Sequence, residues 1–294
     1  MMDTPPTQII RRRVNIDFLS AKADGWPLDR KDTEELLNAL SFVFPVGEKF
    51  FIESVQAFLD RITDPELKER AKLFIYQEAM HSKEHARCND VLLEAHPYGE
   101  QIEKFTDTCL HLNRRFLPKA TQLAATCAFE HFTAMLADRL LSSQESFMAT
   151  TNPAFATLWL WHAVEETEHK AVCFDVYQHL FGKGVVAYLH RIIVMFFATL
   201  GFFITAAVGL RQIKKGTKST HNAAAAAPDG RPQTGQPNLW YLLKNIVFLR
   251  LYTDYYRPSF HPWNHDNAYL IERWKVRYHD LGLGAAAGAA EAHS

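Results

Sequence analysis

Trp161-His162-Ala163-Val164-Glu165-Glu166-Thr167-Glu168-His169 and, upstream, Gln77-Glu78-Ala79-Met80-His81 are the stretches that decide the fold of this chain. Each holds a Glu-x-x-His pair. On a helix turning by roughly 100° per residue, positions three apart project from one stripe, one turn from each other. His162 joins the later stripe four positions before Glu166, and His85 extends the earlier one a turn beyond His81. Two further predicted helices each carry one glutamate in apolar surroundings, Glu48 in FPVGEKFF and Glu130 in ATCAFEHFTA. The chain order is therefore Glu, Glu-x-x-His, Glu, Glu-x-x-His. That is the ligand set of a carboxylate-bridged dinuclear metal site inside a four-helix bundle.

The chemistry supports the pattern. A carboxylate without a partner among aromatic side chains is expensive. Four of them converging with histidines repel one another and desolvate badly unless cations neutralise them, as two divalent metals do. A lone Glu-x-x-His is usually a solvated pair; two of them in this order are far less expected by chance. The expected metal ligands are Glu48, Glu78, His81, Glu130, Glu166 and His169, with Glu78 and Glu166 at the centre of the chemistry. His162 reads as a seventh ligand or as a buried, hydrogen-bonded histidine. Around them, His85 is expected against the ligands or in a substrate pocket, and Glu165 is placed to orient a ligand histidine. His131, turned about 100° from Glu130, reads as packing beside the ligands. Glu168 points away from Glu166 and is expected at the surface. His261 and His265 either cap the site or stabilise a turn. An oxygen-rich site with a few imidazoles and no thiolate suits two iron ions first, with manganese or zinc as the alternatives.

The rest of the chain sets bounds. At 294 residues and 48% hydrophobic, it can bury a sizeable core. A net charge of −1 offers no footprint for nucleic acid. Cys88, Cys109, Cys127 and Cys173 form no C-x-x-C pair, which suits buried thiols in a reducing, cytoplasmic setting. Residues 1–41 read as an N-terminal arm and lead-in helix without a secretory h-region, and 42–184 as the helical bundle. No run is expected to alternate at period two. Predicted helices cover Pro45 to Arg61, Glu66 to Glu94, Gln101 to Asn113, Pro118 to Leu141 and Thr151 to Phe181. Within 185–215, Ile192 to Leu210 has no charged residue and is just long enough to span a bilayer. Membrane contact is the preferred reading and a fully buried core helix the alternative. Arg211, Lys214, Lys215 and Lys218 follow the run, so a simple span would put the metal domain outside. An element lying on the cytoplasmic face of the inner membrane avoids that conflict. Residues 216–237 read as a linker, 238–281 as C-terminal helices with a His-rich loop, and 282–294 as a tail. Leu239 to Tyr256 is a candidate companion of the apolar helix, and a last helix is expected near Tyr269 to His279.

At FPVGEKFF, QEAMHSKEH, EHFTA, WHAVEETEHKAVCFDVY and PSFHPWNHD the chain resembles a bacterial family of ferritin-like proteins labelled predicted metal-dependent hydrolases. The likeness runs from about Phe42 to Asp280. It implies an all-α, ferritin-like four-helix bundle with a dinuclear metal site, plus C-terminal apolar helices. His162, Glu166 and His169 are also similar to the ligand helix of di-iron arylamine oxygenases. By that likeness Glu78 and Glu166 bridge two metals, Glu48 and Glu130 are terminal, His81 serves one metal, and His169 with His162 serves the other. Three function classes follow. The first is a di-iron oxygenase or oxidase that uses O2 on an organic, lipophilic substrate and takes electrons from a reductase or ferredoxin. The second is a metal-dependent hydrolase, in which a metal-bound hydroxide attacks an ester, amide or phosphoester. The third is a non-enzymatic, ferritin-like iron-binding protein.

Overall fold

A computed structural model describes residues 6–19, 31–223 and 246–278, and among these the secondary structure is helical with no strand. Helix α1 spans Lys31–Gln56, α2 Pro65–Ala95, α3 Gly99–Phe116, α4 Lys119–Ser142 and the short α5 Gln144–Thr150. Then come α6 Pro153–His169, α7 Val172–Phe181, α8 Val185–Ala223, α9 Ile246–Asp254 and α10 Ala268–Tyr278. The all-α expectation holds. Helices α1, α2, α6 and α4 form a ring of neighbours, and α8 lies along α1 and α4.

Local chemistry sets the ends of these helices. The Asp64 side chain accepts from the amides of Glu66 and Leu67, and Pro65 fills the first turn of α2. Asn152 and Pro153 do the same for α6, with Asn152 accepting from Ala154. At Gly182 the backbone takes φ +79°, a conformation that favours glycine, and α7 stops. Gly99 is fixed by a close approach instead, since a Cβ there would overlap the Phe42 ring.

Several boundaries differ from the sequence reading. Helix α1 starts at Lys31 rather than at Pro45, which lies inside it. A proline there removes the amide that would bond the Ser41 carbonyl. Asn89 of α2 supplies the missing donor, its Nδ2 lying 2.9 Å from that carbonyl oxygen. The expected single helix to Phe181 breaks at Lys170 and Ala171, just after His169. Helix α8 continues past Gly216 to Ala223. The rest of the expected linker, residues 239–245 of the companion stretch, and the 282–294 tail lie outside the described residues. So do 1–5 and 20–30 of the N-terminal arm.

Period-two alternation does occur, contrary to expectation, in the N-terminal arm. Arg12, Val14, Ile16 and Phe18 are buried, while Arg11, Arg13, Asn15, Asp17 and Leu19 between and after them are exposed. The arm is an extended strap laid over α2 and α6. Its carbonyls need donors that a lone strand cannot find in a sheet, and α2 provides them. Gln77 Nε2 reaches the Ile10 carbonyl at 3.0 Å, Tyr76 Oη that of Arg12 at 3.4 Å, and Arg87 Nη2 that of Ile16 at 3.0 Å.

Two of the three apolar clusters among the described residues lie along the ring of helices. One gathers Phe42, Phe44, Leu92 and Trp161; the other gathers Phe50, Val55, Phe74 and Leu123. Between them, on the turns that carry Glu48, Glu78, Glu130 and Glu166, the interior becomes polar.

Candidate metal centre

Each of the four ring helices delivers its glutamate to that polar belt, and α2 and α6 add histidines one turn away. Glu78, Glu130, Glu166 and His169 form one group in which a donor atom from each lies within 4.8 Å of the others. His81, His162 and Glu166 form a second group, and Glu48, Glu78 and His81 a third. Glu78 and Glu166 thus stand between a pocket of Glu130 and His169 and a pocket of Glu48, His81 and His162. None of these seven residues is more than 3% exposed.

Most of the donor atoms are left without hydrogen-bond partners. Both carboxylate oxygens of Glu48, Glu78 and Glu130, together with His81 Nδ1 and His169 Nε2, are buried and unsatisfied. His169 Nε2 lies 3.1 Å from Glu78 Oε1, yet neither atom is satisfied by the other. An orphaned buried carboxylate costs too much to persist without a partner, so these residues fit a bound cation.

Each histidine is held from its far side. His81 Nε2 lies 3.0 Å from Glu165 Oε2. His169 Nδ1 lies 2.9 Å from Gln77 Oε1. His162 Nδ1 lies 2.7 Å from His85 Nε2, which leaves His162 Nε2 facing Glu166 at 3.0 Å and Glu48 at 3.8 Å. Such outward acceptors select the tautomer in which the inward nitrogen carries a free lone pair. His85 is therefore bonded to His162, and it also brings a donor atom within 4.8 Å of Glu48 and His162. It passes its own proton outward to Ser41 Oγ, 2.9 Å from His85 Nδ1, and Ser41 Oγ donates to Asn89 Oδ1 at 2.6 Å. Thr133 Oγ1 donates to Glu166 Oε2.

Beyond this layer runs a charged chain that the sequence reading missed. Arg12 of the strap pairs with Glu165 at 3.2 Å and with Glu168 at 2.5 Å. Gln77 Nε2 donates to Glu168 at 3.0 Å. The backbone amide of Ile10 donates to the same carboxylate at 3.2 Å. His81, Glu165, Arg12, Glu168, Gln77 and His169 are thus joined in one sequence of bonds. Glu168 is buried, a correction to its expected surface position. It does face away from Glu166, but the strap and α2 cover that side of α6.

Two more placements differ. His162 stacks on His81, with ring centroids 4.1 Å apart, and stands beside Glu48 rather than with His169. His131 does not border the cluster. Its Nε2 meets the Leu251 carbonyl at 3.0 Å and its ring packs on Tyr255 and Phe260, so it fastens α9 to α4. His261 and His265 stabilise the C-terminal loop by pairing with Asp175 at 2.9 Å and Asp138 at 3.0 Å.

Protonation follows from this packing. Burial pushes Glu48 well above the usual carboxylate range, and the neighbouring Glu78 adds to it. Burial and then Glu166 do the same to Glu130. Burial also works to raise Glu78 and Glu166, but nearby histidines outweigh it and hold both below that range. Burial disfavours a charged His81, yet Glu165 and Glu78 lift it to about 10. His169 rises well above the ordinary imidazole value because Glu166 and Glu130 overcome its burial. His85 and His162 are lowered, mainly by burial, and stay neutral. Protons on His81 and His169 thus occupy the role that cations take when they bind.

A family profile described as "predicted metal-dependent hydrolase" matches residues 10–266. No curated protein and no solved structure matches the chain significantly.

Proposed function

The chain belongs to the predicted metal-dependent hydrolase family, and from that premise we propose that its buried cluster holds two metal ions, iron by preference, and serves O2-dependent oxidation of an organic, lipophilic substrate. One observation carries the reading: two donor pockets share Glu78 and Glu166, and the carboxylate oxygens of Glu48, Glu78 and Glu130 with one nitrogen each of His81 and His169 are unsatisfied. Four carboxylates and three imidazoles without a thiolate suit six-coordinate iron or manganese. A hydrolytic zinc site needs only three ligands and an open position.

Paired iron ions would supply reversible redox chemistry and O2 activation. The protein's own residues do the rest. Glu48, His81 and His162 would hold one ion and Glu130 with His169 the other, with Glu78 and Glu166 shared. Carboxylates suit such a pair because they can change between bridging and chelating as metal charge changes. Glu165 and Gln77 fix the imidazoles through their outward nitrogens. Phe44, Phe74 and Trp161, whose ring centroids lie 4.8–4.9 Å from those of His162, His169 and His81, keep water from the histidines. The electrons would come from a separate reductase or ferredoxin.

A hydrolytic reading is favoured by the family description itself. In that reading the same ions activate water, and the protein turns over esters or phosphoesters without O2. The deciding experiment is anaerobic loading with ferrous iron, metal analysis, and then mixing with O2. About two irons per chain with O2 consumption and a change in visible absorption is the expected result. Zinc- or manganese-loaded protein that cleaves nitrophenyl esters anaerobically, while the two-iron form ignores O2, would establish hydrolysis instead. Glu78→Ala and Glu166→Ala should each lose the metal pair; full metal content in both would remove the shared role assigned to them.

A further inference from the structure

Helix α8 presents two opposite faces. Ala187, Met195, Ala206 and Ile213 are buried against the bundle. On the other side Leu189, Ile193, Phe196, Phe197, Leu200 and Ile204 are 45–63% exposed. Their spacings of four, three, one, three and four residues place them on one stripe. That stripe runs about 22 Å along the axis. Val185 and Val186 extend it, at 72% and 84% exposed. A contiguous apolar surface of this length on a folded protein marks something that covers it.

We propose that this stripe is a docking surface for an anionic lipid bilayer, on which α8 lies in the interfacial plane without crossing. Crossing is opposed by the helix's own packing. It is long and apolar enough to span, but one face is committed to α1 and α4, where lipid cannot surround it. Charge distinguishes lipid from a second copy of the chain. Lys183 precedes the stripe, Arg211, Lys214 and Lys215 follow it, and no Asp or Glu occurs between Asp175 and Asp229. Lys214 already faces Glu35 at 3.6 Å, which leaves Lys183, Arg211 and Lys215 as the cations of interest. A second copy laid on the stripe in either direction would set cationic ends against cationic ends. Anionic headgroups would meet those ends with opposite charge while acyl chains cover the stripe. The proposal does not depend on which reaction the metal centre performs.

The test is co-sedimentation of the full chain with phosphatidylcholine vesicles, with and without phosphatidylserine. Binding is expected to be strongest with phosphatidylserine and to weaken as salt rises. Each basic side chain near such a surface contributes on the order of a fivefold gain in affinity. Lys183→Gln/Arg211→Gln/Lys215→Gln should therefore lose on the order of 100-fold on phosphatidylserine vesicles and little on phosphatidylcholine. Ile193→Glu/Phe197→Glu, on the exposed stripe, should abolish binding to both while its thermal melt and metal content stay unchanged. The proposal is overturned if the unaltered chain fails to bind phosphatidylserine vesicles, or if the stripe variant binds as well as it does. A dimer in analytical ultracentrifugation that the stripe variant splits, with no vesicle binding, would assign the surface to a second copy.

Discussion

Arg12→Ala removes the guanidinium that stands between Glu165 and Glu168. Arg12 is 5% exposed, and the two carboxylates it serves are 1% and 2% exposed. Deleting one partner of a buried ion pair costs about 3–5 kcal/mol, because the other charge is left uncompensated. In a chain of this size each kcal/mol moves Tm by roughly 2–4 °C. The variant should therefore melt on the order of 10 °C lower. The damage also reaches the metals. Glu165 holds His81, and Glu168 holds Gln77 and through it His169. Losing an outer partner of a ligand histidine typically costs 10–100-fold in metal affinity, and here both pockets are exposed to that loss. The assay is thermal unfolding of metal-free protein by circular dichroism, paired with competitive metal titration. Adding Glu168→Gln to Arg12→Ala should recover part of the Tm by removing an unpaired charge. It should not recover metal affinity at the His81 side, where Glu165 remains without Arg12. An Arg12→Ala protein that keeps its Tm and both metal affinities would refute the strap's role in holding the centre.

Further outcomes can be checked separately. His81 titrates at about 10 in the folded chain and His169 well above its ordinary value, so both are protonated near neutral pH. Metal loading should release at least these two protons, measurable by calorimetry in buffers of different ionisation enthalpy, and apparent affinity should rise with pH. The same raised values mean that the metal-free fold keeps the full benefit of protonated His81 below its ordinary 6.5 and loses it as pH climbs through about 10. Alkaline pH should thus lower the melting temperature of the metal-free protein more than that of the loaded one. Burial pushes Cys88, Cys127 and Cys173 upward, so only the partly exposed Cys109 should react with a thiol reagent before unfolding; rapid labelling of more than one thiol in native protein would contradict that packing. Gly99→Ala drives a methyl into the Phe42 ring and should destabilise by about 1–3 kcal/mol in chemical denaturation. His85→Phe takes the acceptor from His162 and should weaken one metal by roughly 10–100-fold, leaving the other unchanged in a stepwise titration.

The cluster was legible because helices make ligand geometry a matter of arithmetic. Glu-x-x-His at Glu78 and at Glu166 needs only the helical repeat, and both helices announce their starts with Asp64-Pro65 and Asn152-Pro153. What escaped depends on which element covers which face. The back of α6 looks solvent-facing on a helical wheel, and Glu168 with it. The strap that covers it hides its alternation behind three consecutive arginines, of which Arg12 alone turns inward. His131 shows the converse. Its rotation from Glu130 was readable, but the partner on that side, the Leu251 carbonyl, lies 120 residues later in the chain. Pairwise placement of His162 with His81 likewise depends on how α2 and α6 pack, which neither helix's sequence states alone.

Pro45 shows how a local rule connects to the centre. Taken alone, a proline in this position reads as the start of a helix, and the structure places it mid-helix with Glu48 one turn onward. The reason lies in what the missing amide releases. The Ser41 carbonyl, one turn back, loses its helical donor and is taken by Asn89. That bond turns the Asn89 carbonyl oxygen toward the Ser41 hydroxyl. With its own proton committed to Asn89, Ser41 can only accept from His85. His85 Nε2 must then accept from His162 Nδ1, and His162 Nε2 is left as a lone pair facing Glu48 and Glu166. One residue that cannot donate a hydrogen bond thereby fixes the direction of every proton along the path from α1 to the cluster. A proline that would be a fault in an isolated helix is the reason His162 presents a donor atom suited to a metal.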